Sequence, residues 1–218
     1  MAHAYPIQLE VTGRLIVIVG GGTVAARKAD GLLAAGATRV RCVSPAFHET
    51  LPAAVERVAA AYEAAHLDGA TLAFAATNAP DVNDAVVRDA RLRGILVNRA
   101  DRDTADDATG DFTVPATHRV GPITITVAAG GNPTLAAAVR DELATQLDAG
   151  WVALAEAMTT LRPIVLAARV PSAMQRDVLR ALATREAMQV VRLGGRDALL
   201  AWVRLRFPEL CLDGGDVL

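Results

Sequence analysis

The sequence predicts an α/β fold: a parallel sheet of the nucleotide-binding type, then a short strand-helix segment, then a helical C-terminal domain. Three observations predict it. Residues Leu15 to Ala26 read LIVIVGGGTVAA, a buried strand, a glycine turn and a helix start. Apolar runs then alternate with helical periodicity as far as Asn98. Beyond Gly150 alanine, leucine and arginine dominate, punctuated at Arg162-Pro163, Pro171 and Gly194-Gly195.

Each element follows from its own residues. Leu15–Val19 is uniformly apolar, as a strand covered on both faces must be. Gly20, Gly22 and Ala25 match G-x-G-x-x-G/A: Gly20 permits the tight turn, Gly22 lets backbone N–H groups approach a pyrophosphate, and Ala25 lets the helix pack closely on the strand. A helix from Val24 to Ala35 stops at Gly36-Ala37, and Arg39 to Val43 completes a βαβ unit ending at Ser44-Pro45. Helical spacing returns at Glu49 to Ala60, followed by a strand at Thr71 to Ala75, a helix at Val82 to Leu92 and a strand at Ile95 to Asn98. Ligands of such Rossmann-type sheets sit beyond the carboxyl ends of the strands, so Gly20 to Gly22, Ser44, Thr77-Asn78 and Asn98 to Asp101 are expected to border one crevice. The acidic stretch RADRDTADDATGD, from Arg99 to Asp111, reads as a loop. Phe112 to Pro115 and Gly121 to Ala128 read as antiparallel strands turning at His118 and Arg119. Asn132 and Pro133 suit the N-cap and first position of a helix that Gly150 ends. The expected divisions are residues 1–113, 114–149 and 150–218.

Composition narrows the function. A net charge of −2 excludes the strongly basic balance of a general nucleic-acid binder and points to small-molecule partners. Two cysteines, Cys42 and Cys211, suggest neither a disulfide framework nor a C-x-x-C site, which suits a reducing cytoplasm. No signal-type N-terminus and no apolar run of about 18 residues occurs, so neither export nor membrane insertion is expected. Lys28 is the only lysine; on the first helix it reads as a surface residue without a catalytic role.

Several dehydrogenase and hydrolase chemistries are excluded. A Tyr-x-x-x-Lys pair needs a lysine that Tyr5 and Tyr62 lack, since residue 66 is His66. His3, His48, His66 and His118 are scattered and offer no zinc spacing with two cysteines, so no metal site is expected. A G-x-S-x-G nucleophile elbow is absent.

Four stretches, YPIQLEVTGRLIVIVGGGTVAARKA, FAATN, VNRAD and VAAGGNPTLAAAVRDEL, carry five motifs in order (a short entry strand, G-G-G-x-V-A-x-R-K-A, A-A-T-N, V-N-x-x-D and G-G-x-P before a helix), a pattern that resembles the precorrin-2 dehydrogenase and sirohydrochlorin ferrochelatase family, which includes the amino-terminal module of siroheme synthase. The resemblance covers residues 5 to about 148 well and the helical tail only in general character. It implies oxidation of precorrin-2 to sirohydrochlorin with NAD in the cytoplasm, in some members ferrous iron insertion, a homodimer built through residues 114–149, and a helical tail that helps cover the substrate.

The same resemblance implies the site. Its key aspartate falls on Asp101, the catalytic candidate. Gly20, Gly21, Gly22, Thr23, Val24, Ser44, Pro45, Thr77 and Asn98 fall on the cofactor side. A polycarboxylate macrocycle calls for arginines and free N–H groups: Arg99, Arg119, Gly130, Gly131 and Asn132 are the substrate candidates, with Arg102, His118 and Arg140 in reserve. Three departures stand out. The span from Asp101 to Phe112 exceeds the family's, so Asp103, Asp106 or Asp107 are alternatives for the carboxylate. No Asp or Glu follows the second strand, where Ser44-Pro45 stands, so NAD over NADP rests on the resemblance. Ala129 stands where serine is frequent. The competing reading is a non-catalytic dinucleotide-sensing module regulating a partner.

Overall fold

The computed structural model describes residues 4–100 and 110–210. They divide into two compact units, residues up to 114 and residues from 115 onward.

The first unit is a Rossmann-type sheet. β1 (Leu15–Val19), β2 (Arg39–Val43), β3 (Glu56–Val58), β4 (Leu72–Ala75) and β5 (Leu96–Arg99) form one parallel sheet in the order β3-β2-β1-β4-β5. Every side chain of central β1 is buried, and Ile16, Val17 and Ile18 are fully so. At about 1.5–3 kcal/mol for each buried aliphatic side chain, this strand anchors the unit from both faces. Alternation decides the two layers. Ile16, Ile18, Cys42 and Phe74 face α1 (Thr23–Ala34) through Ala25, Ala26 and Ala29, whereas Val17, Val19, Ala75 and Val97 face α2 (Pro80–Leu92) through Val86, Val87 and Ala90. The alanines of α1 let its axis lie close to the sheet, which brings its N-terminus to the end of β1.

Two expectations in this unit are corrected. Glu49 to Ala60 is not a helix. Leu51, Val55 and Val58 have helical spacing, but Pro52 lacks an N–H, and the open edge of β2 pairs instead with β3 in the register Arg41↔Glu56 to Val43↔Val58. The Arg41–Glu56 ion pair, 3.0 Å, spans that edge. Phe112 to Pro115 is not a strand either; Asp111 and Phe112 are tied to β5 by side-chain bonds described below.

The second unit begins with the hairpin β6 (Ala116–Val120) and β7 (Ile123–Val127), antiparallel as expected. His118 and Arg119 lie within β6, opposite Ile125 and Thr124, not in the turn. The turn is Gly121-Pro122, where Gly121 takes φ 51°, the conformation a two-residue hairpin loop needs in its first position. α3 (Pro133–Gln146) starts as expected, the Asn132 side chain accepting the Leu135 N–H at 2.9 Å. Gly150 does not end it. Asp148 caps a new helix, α4 (Ala149–Ala167), through the Gly150 N–H at 2.7 Å, and Gly150 lies inside that helix against Met188. Pro163 does not break α4: Leu161 and Val165 on either side are each 1% exposed, and their burial outweighs one lost backbone bond. α5 (Ser172–Leu182) starts after Pro171, and α6 (Arg185–Arg206) kinks at Gly195 as the glycine pair predicted. Leu154, Leu161, Val178, Leu182, Val191, Leu199 and Val203 make the helical core. No helix of the described residues is long and apolar enough to cross a membrane.

Candidate dinucleotide site

The chain passes from β1 outward to β2 and β3, then returns to the other side of β1 as β4, so the strand order reverses between the ends of β1 and β4. A parallel sheet opens a crevice at such a point. Backbone bonds align its rim: Gly20 N–H donates to Val43 O at 2.9 Å, Ala76 N–H to Val19 O at 2.8 Å, and Ala100 N–H to Ala75 O at 2.9 Å.

The three glycines do different things. Gly20 has φ 126°, and a Cβ there would lie 2.3 Å from Ala76 O. A Cβ on Gly21 would lie 1.9 Å from Ala46 O and 2.7 Å from Ser44 Oγ, because the turn after β2 folds over this residue and His48 N–H donates to Gly21 O at 2.7 Å. A Cβ on Gly22 would meet nothing within 4 Å. Gly22 is also the N-cap of α1, with no side-chain cap and no acidic residue in the first turn. The start of α1, at Thr23 and Val24, thus carries no side-chain cap, and the space beside Gly22 is open among the described residues, an arrangement that suits an anion such as a pyrophosphate.

Beneath the turn, Cys42 is fully buried, and its thiol donates to Gly20 O at 2.9 Å. Burial pushes its pKa up to about 11, opposed by the nearby Arg57 charge. On the far side of the crevice Thr77 is held by Asn83 of α2. Asn83 Oδ1 accepts from Thr77 N–H at 3.2 Å and from its hydroxyl at 2.7 Å, and Asn83 Nδ2 donates to Thr77 O at 3.0 Å. Asn83 is wholly buried, and sequence reading missed it: a polar residue between Val82 and Val86 looks like an exposed helix position, and only Thr77 six residues earlier hints at the partnership.

The remaining predicted residues fall in different places. Ser44 and Pro45 follow β2 on the rim. Asn98 sits one residue below the end of β5; its Nδ2 donates to Phe112 O at 2.8 Å, and its Oδ1 is buried without a partner among the described residues. Arg99 does not present its guanidinium to a ligand: the side chain is fully buried, paired with Asp84 and directed at Pro80 O, because its alternate face of β5 meets α2. Asp101, Arg102, Asp103, Asp106 and Asp107 lie outside the described residues. Arg119, Gly130, Gly131 and Asn132 belong to the second unit, where Arg119 is exposed, Arg140 pairs with Asp141 at 2.6 Å, and Gly130 and Gly131 take φ 56° and 85° ahead of α3. Lys28 is more than a surface residue. Its Nζ stands 5.7 Å from the centre of the Phe74 ring, and burial first, then Arg27, lowers its pKa.

A family whose description is "Putative NAD(P)-binding" matches residues 7–116. The siroheme synthase of Chromobacterium violaceum is 39% identical over 169 residues, 75% of this chain and 35% of that protein. That of Methylobacillus flagellatus is 36% identical over 166 residues, 73% of this chain and 34% of that protein. The chain therefore spans about a third of the length of these relatives. Among solved structures, SirC, a precorrin-2 dehydrogenase, superposes with a TM-score of 0.73 at 19% identity, covering 93% of this chain and 100% of that one.

Proposed function

The chain belongs to this NAD(P)-binding family, and from that premise we propose that it oxidises precorrin-2 to sirohydrochlorin, passing the hydride to NAD. The observation that carries the reading is the crevice itself: an open Gly22 and an uncapped α1 at the reversal of the sheet, in a chain 39% identical to a siroheme synthase. The dinucleotide supplies the hydride acceptor. Gly20, Gly21, Gly22, Thr23 and Val24 hold its pyrophosphate, Ser44 and Pro45 meet the ribose, and Thr77 and Asn98 border the nicotinamide end. Asp101 takes the proton, with Asp103, Asp106 and Asp107 its alternatives. Arg119 and the Gly130, Gly131 and Asn132 helix start engage substrate carboxylates. Arg99, buried on Asp84, serves by fixing the end of β5 instead of binding substrate.

The protein acts as a homodimer in the cytoplasm. Leu135, Val139 and Leu143 form an exposed apolar stripe along α3, 38–52% exposed, continuous with a groove lined by Ile125, Leu147 and Trp151. Such a stripe beside a two-stranded sheet suits a second copy.

The test is anaerobic turnover of enzymatically generated precorrin-2 with NAD or NADP, following reduced cofactor and the sirohydrochlorin spectrum together. Coupled formation of both products with NAD supports the reading, and a second run with ferrous ion measures chelatase activity. Nucleotide binding without turnover would replace it with the sensing module. Asp101→Ala should lose turnover about 100-fold or more while binding NAD as the parent does; full activity would move the proton to another carboxylate.

A further inference from the structure

Two polar groups with unmet hydrogen-bonding capacity flank Phe74 on one face of the sheet. Phe74 stands one residue before the end of β4, 2% exposed, in the layer that faces α1. From the helix side, Lys28 Nζ stands 5.7 Å from the centre of its ring. Lys28 lies one turn beyond Val24, and helical side chains lean toward the helix N-terminus, so the ammonium is carried back toward the crevice. It has no acidic partner among the described residues, and its N–H groups are donors to spare. From the strand side, Asn98 is the register partner of Phe74 on β5. Strand side chains alternate, and Val97 belongs to the α2 layer, so Asn98 shares the face of Phe74.

The amide of Asn98 is held in one orientation. Asp111 lies along the edge of β5: its N–H donates to Val97 O at 2.6 Å, its Oδ2 accepts the Val97 N–H at 3.0 Å, and its Oδ1 accepts from Arg91 Nε at 3.0 Å. The next residue, Phe112, is thereby fixed, its ring edge-on to Phe74 with centroids 5.5 Å apart and its carbonyl accepting from Asn98 Nδ2 at 2.8 Å. That bond commits the nitrogen end of the amide. Oδ1 is left without a donor among the described residues, in a side chain whose residue is 6% exposed. A buried acceptor left unpaired costs free energy that a ligand's donor recovers.

We infer that Lys28 and Asn98 form a two-point site for the carboxamide of the nicotinamide, Asn98 Oδ1 accepting its N–H and Lys28 donating to its oxygen. The inference rests on the dinucleotide reading above and adds to it the groups that orient the reactive ring. A donor beside an acceptor matches a primary amide; a carboxylate has no N–H to give Oδ1. Oδ1 is covered, so the amide reaches it through a side-chain adjustment of the kind common at binding sites. The benefit is orientation, since an amide held at both ends fixes the ring against rotation, and group transfer is steeply sensitive to such alignment.

The experiment is calorimetric titration of the full chain with NAD, ADP-ribose, 3-acetylpyridine adenine dinucleotide, in which a methyl replaces the amide nitrogen, and nicotinic acid adenine dinucleotide, which carries a carboxylate. Both analogues should bind the parent about 10-fold or more weakly than NAD. In Asn98→Ser the preference for NAD over the acetylpyridine analogue should shrink to within about twofold. In Lys28→Met that preference should persist while affinity for both falls about 3- to 10-fold. ADP-ribose, which lacks the nicotinamide, should bind both variants as it binds the parent. Equal affinity of the parent for NAD and the acetylpyridine analogue would overturn the Asn98 contact without recourse to any variant, and unchanged NAD affinity in Lys28→Met would overturn the Lys28 contact. A parent that binds neither NAD nor ADP-ribose would remove the dinucleotide reading and this site together. Discrimination among the analogues without precorrin-2 turnover would remove the dehydrogenase reading and leave the site standing.

Discussion

Replacing Gly22 by alanine separates binding from folding at the glycine turn. Its φ of −83° is ordinary for any residue, and the added methyl meets nothing within 4 Å. Alanine is a poorer N-cap than glycine by about 0.5–1 kcal/mol, and the stiffer unfolded chain returns about 0.4–1 kcal/mol, so the two effects nearly cancel. Thermal unfolding should shift by no more than about 2 °C. The methyl occupies the space through which a pyrophosphate would approach the start of α1. Losing one charge-assisted bond there costs about 1.5–3 kcal/mol, or about 10- to 100-fold in Kd. Gly21→Ala is the contrast: its Cβ would lie 1.9 Å from Ala46 O, more than an ångström inside real contact distances, and overpacking against backbone costs about 1–3 kcal/mol. Calorimetric titration with NAD beside thermal melts reads both. Gly22→Ala binding NAD like the parent would refute the geometry, and so would a melting loss equal to that of Gly21→Ala.

Three other outcomes follow from features at a distance from the turn. Asn83→Ala strips three hydrogen bonds from the Thr77 loop and should destabilise the protein by about 2–4 kcal/mol in urea unfolding while weakening NAD binding; a stable variant with normal affinity would show that the loop holds itself. The Cys42 thiol, ordinarily near 9.0 and raised to about 11 by burial, keeps its proton in the folded state after the unfolded chain has lost it. Its stabilising contribution is therefore complete below about pH 9 and falls between about pH 9 and 11, by at most about 1.4 kcal/mol per unit. Urea midpoints at pH 8 and 10.5 should thus fall less in Cys42→Ala than in the parent, and parallel profiles would contradict the shift. Leu143→Glu, in the exposed stripe of α3, should convert the proposed dimer to monomer in sedimentation velocity; an unchanged sedimentation coefficient would move the interface elsewhere.

What was legible in the sequence was what local pattern controls. Leu15–Val19 and Arg39–Val43 are strands at their predicted bounds because continuous apolar runs have one buried solution. The cap at Asn132-Pro133 is likewise local. Failures arose where distant groups decide. Leu51 and Val55 obey helical spacing, yet an unpaired edge of β2 claims the residues that follow them. Pro163 punctuates on paper, yet Leu161 and Val165 bury on both sides of it. The shape of the glycine turn was readable because backbone conformation and close approach decide it. Asn83 was not, since its partnership depends on the Thr77 loop folding back over α2; Asp111 was not, since Val97 and Arg91 lie 14 and 20 residues from it; and the burial of Arg99 was not, because packing by α2 is a tertiary fact.

Asp111 also bears on the open edge of the sheet. β5 is a terminal strand of an open sheet, and such an edge ordinarily offers free N–H and C=O groups to any passing extended chain. With Val97 engaged on both its donor and its acceptor by Asp111, that template for cross-chain β-pairing is closed at its centre. The opposite edge is β3, three residues long, too short to recruit a partner strand. Neither border of the sheet, among the described residues, offers a long open edge for β-pairing, so the proposed dimer calls on side-chain packing along the apolar stripe of α3 and not on sheet extension.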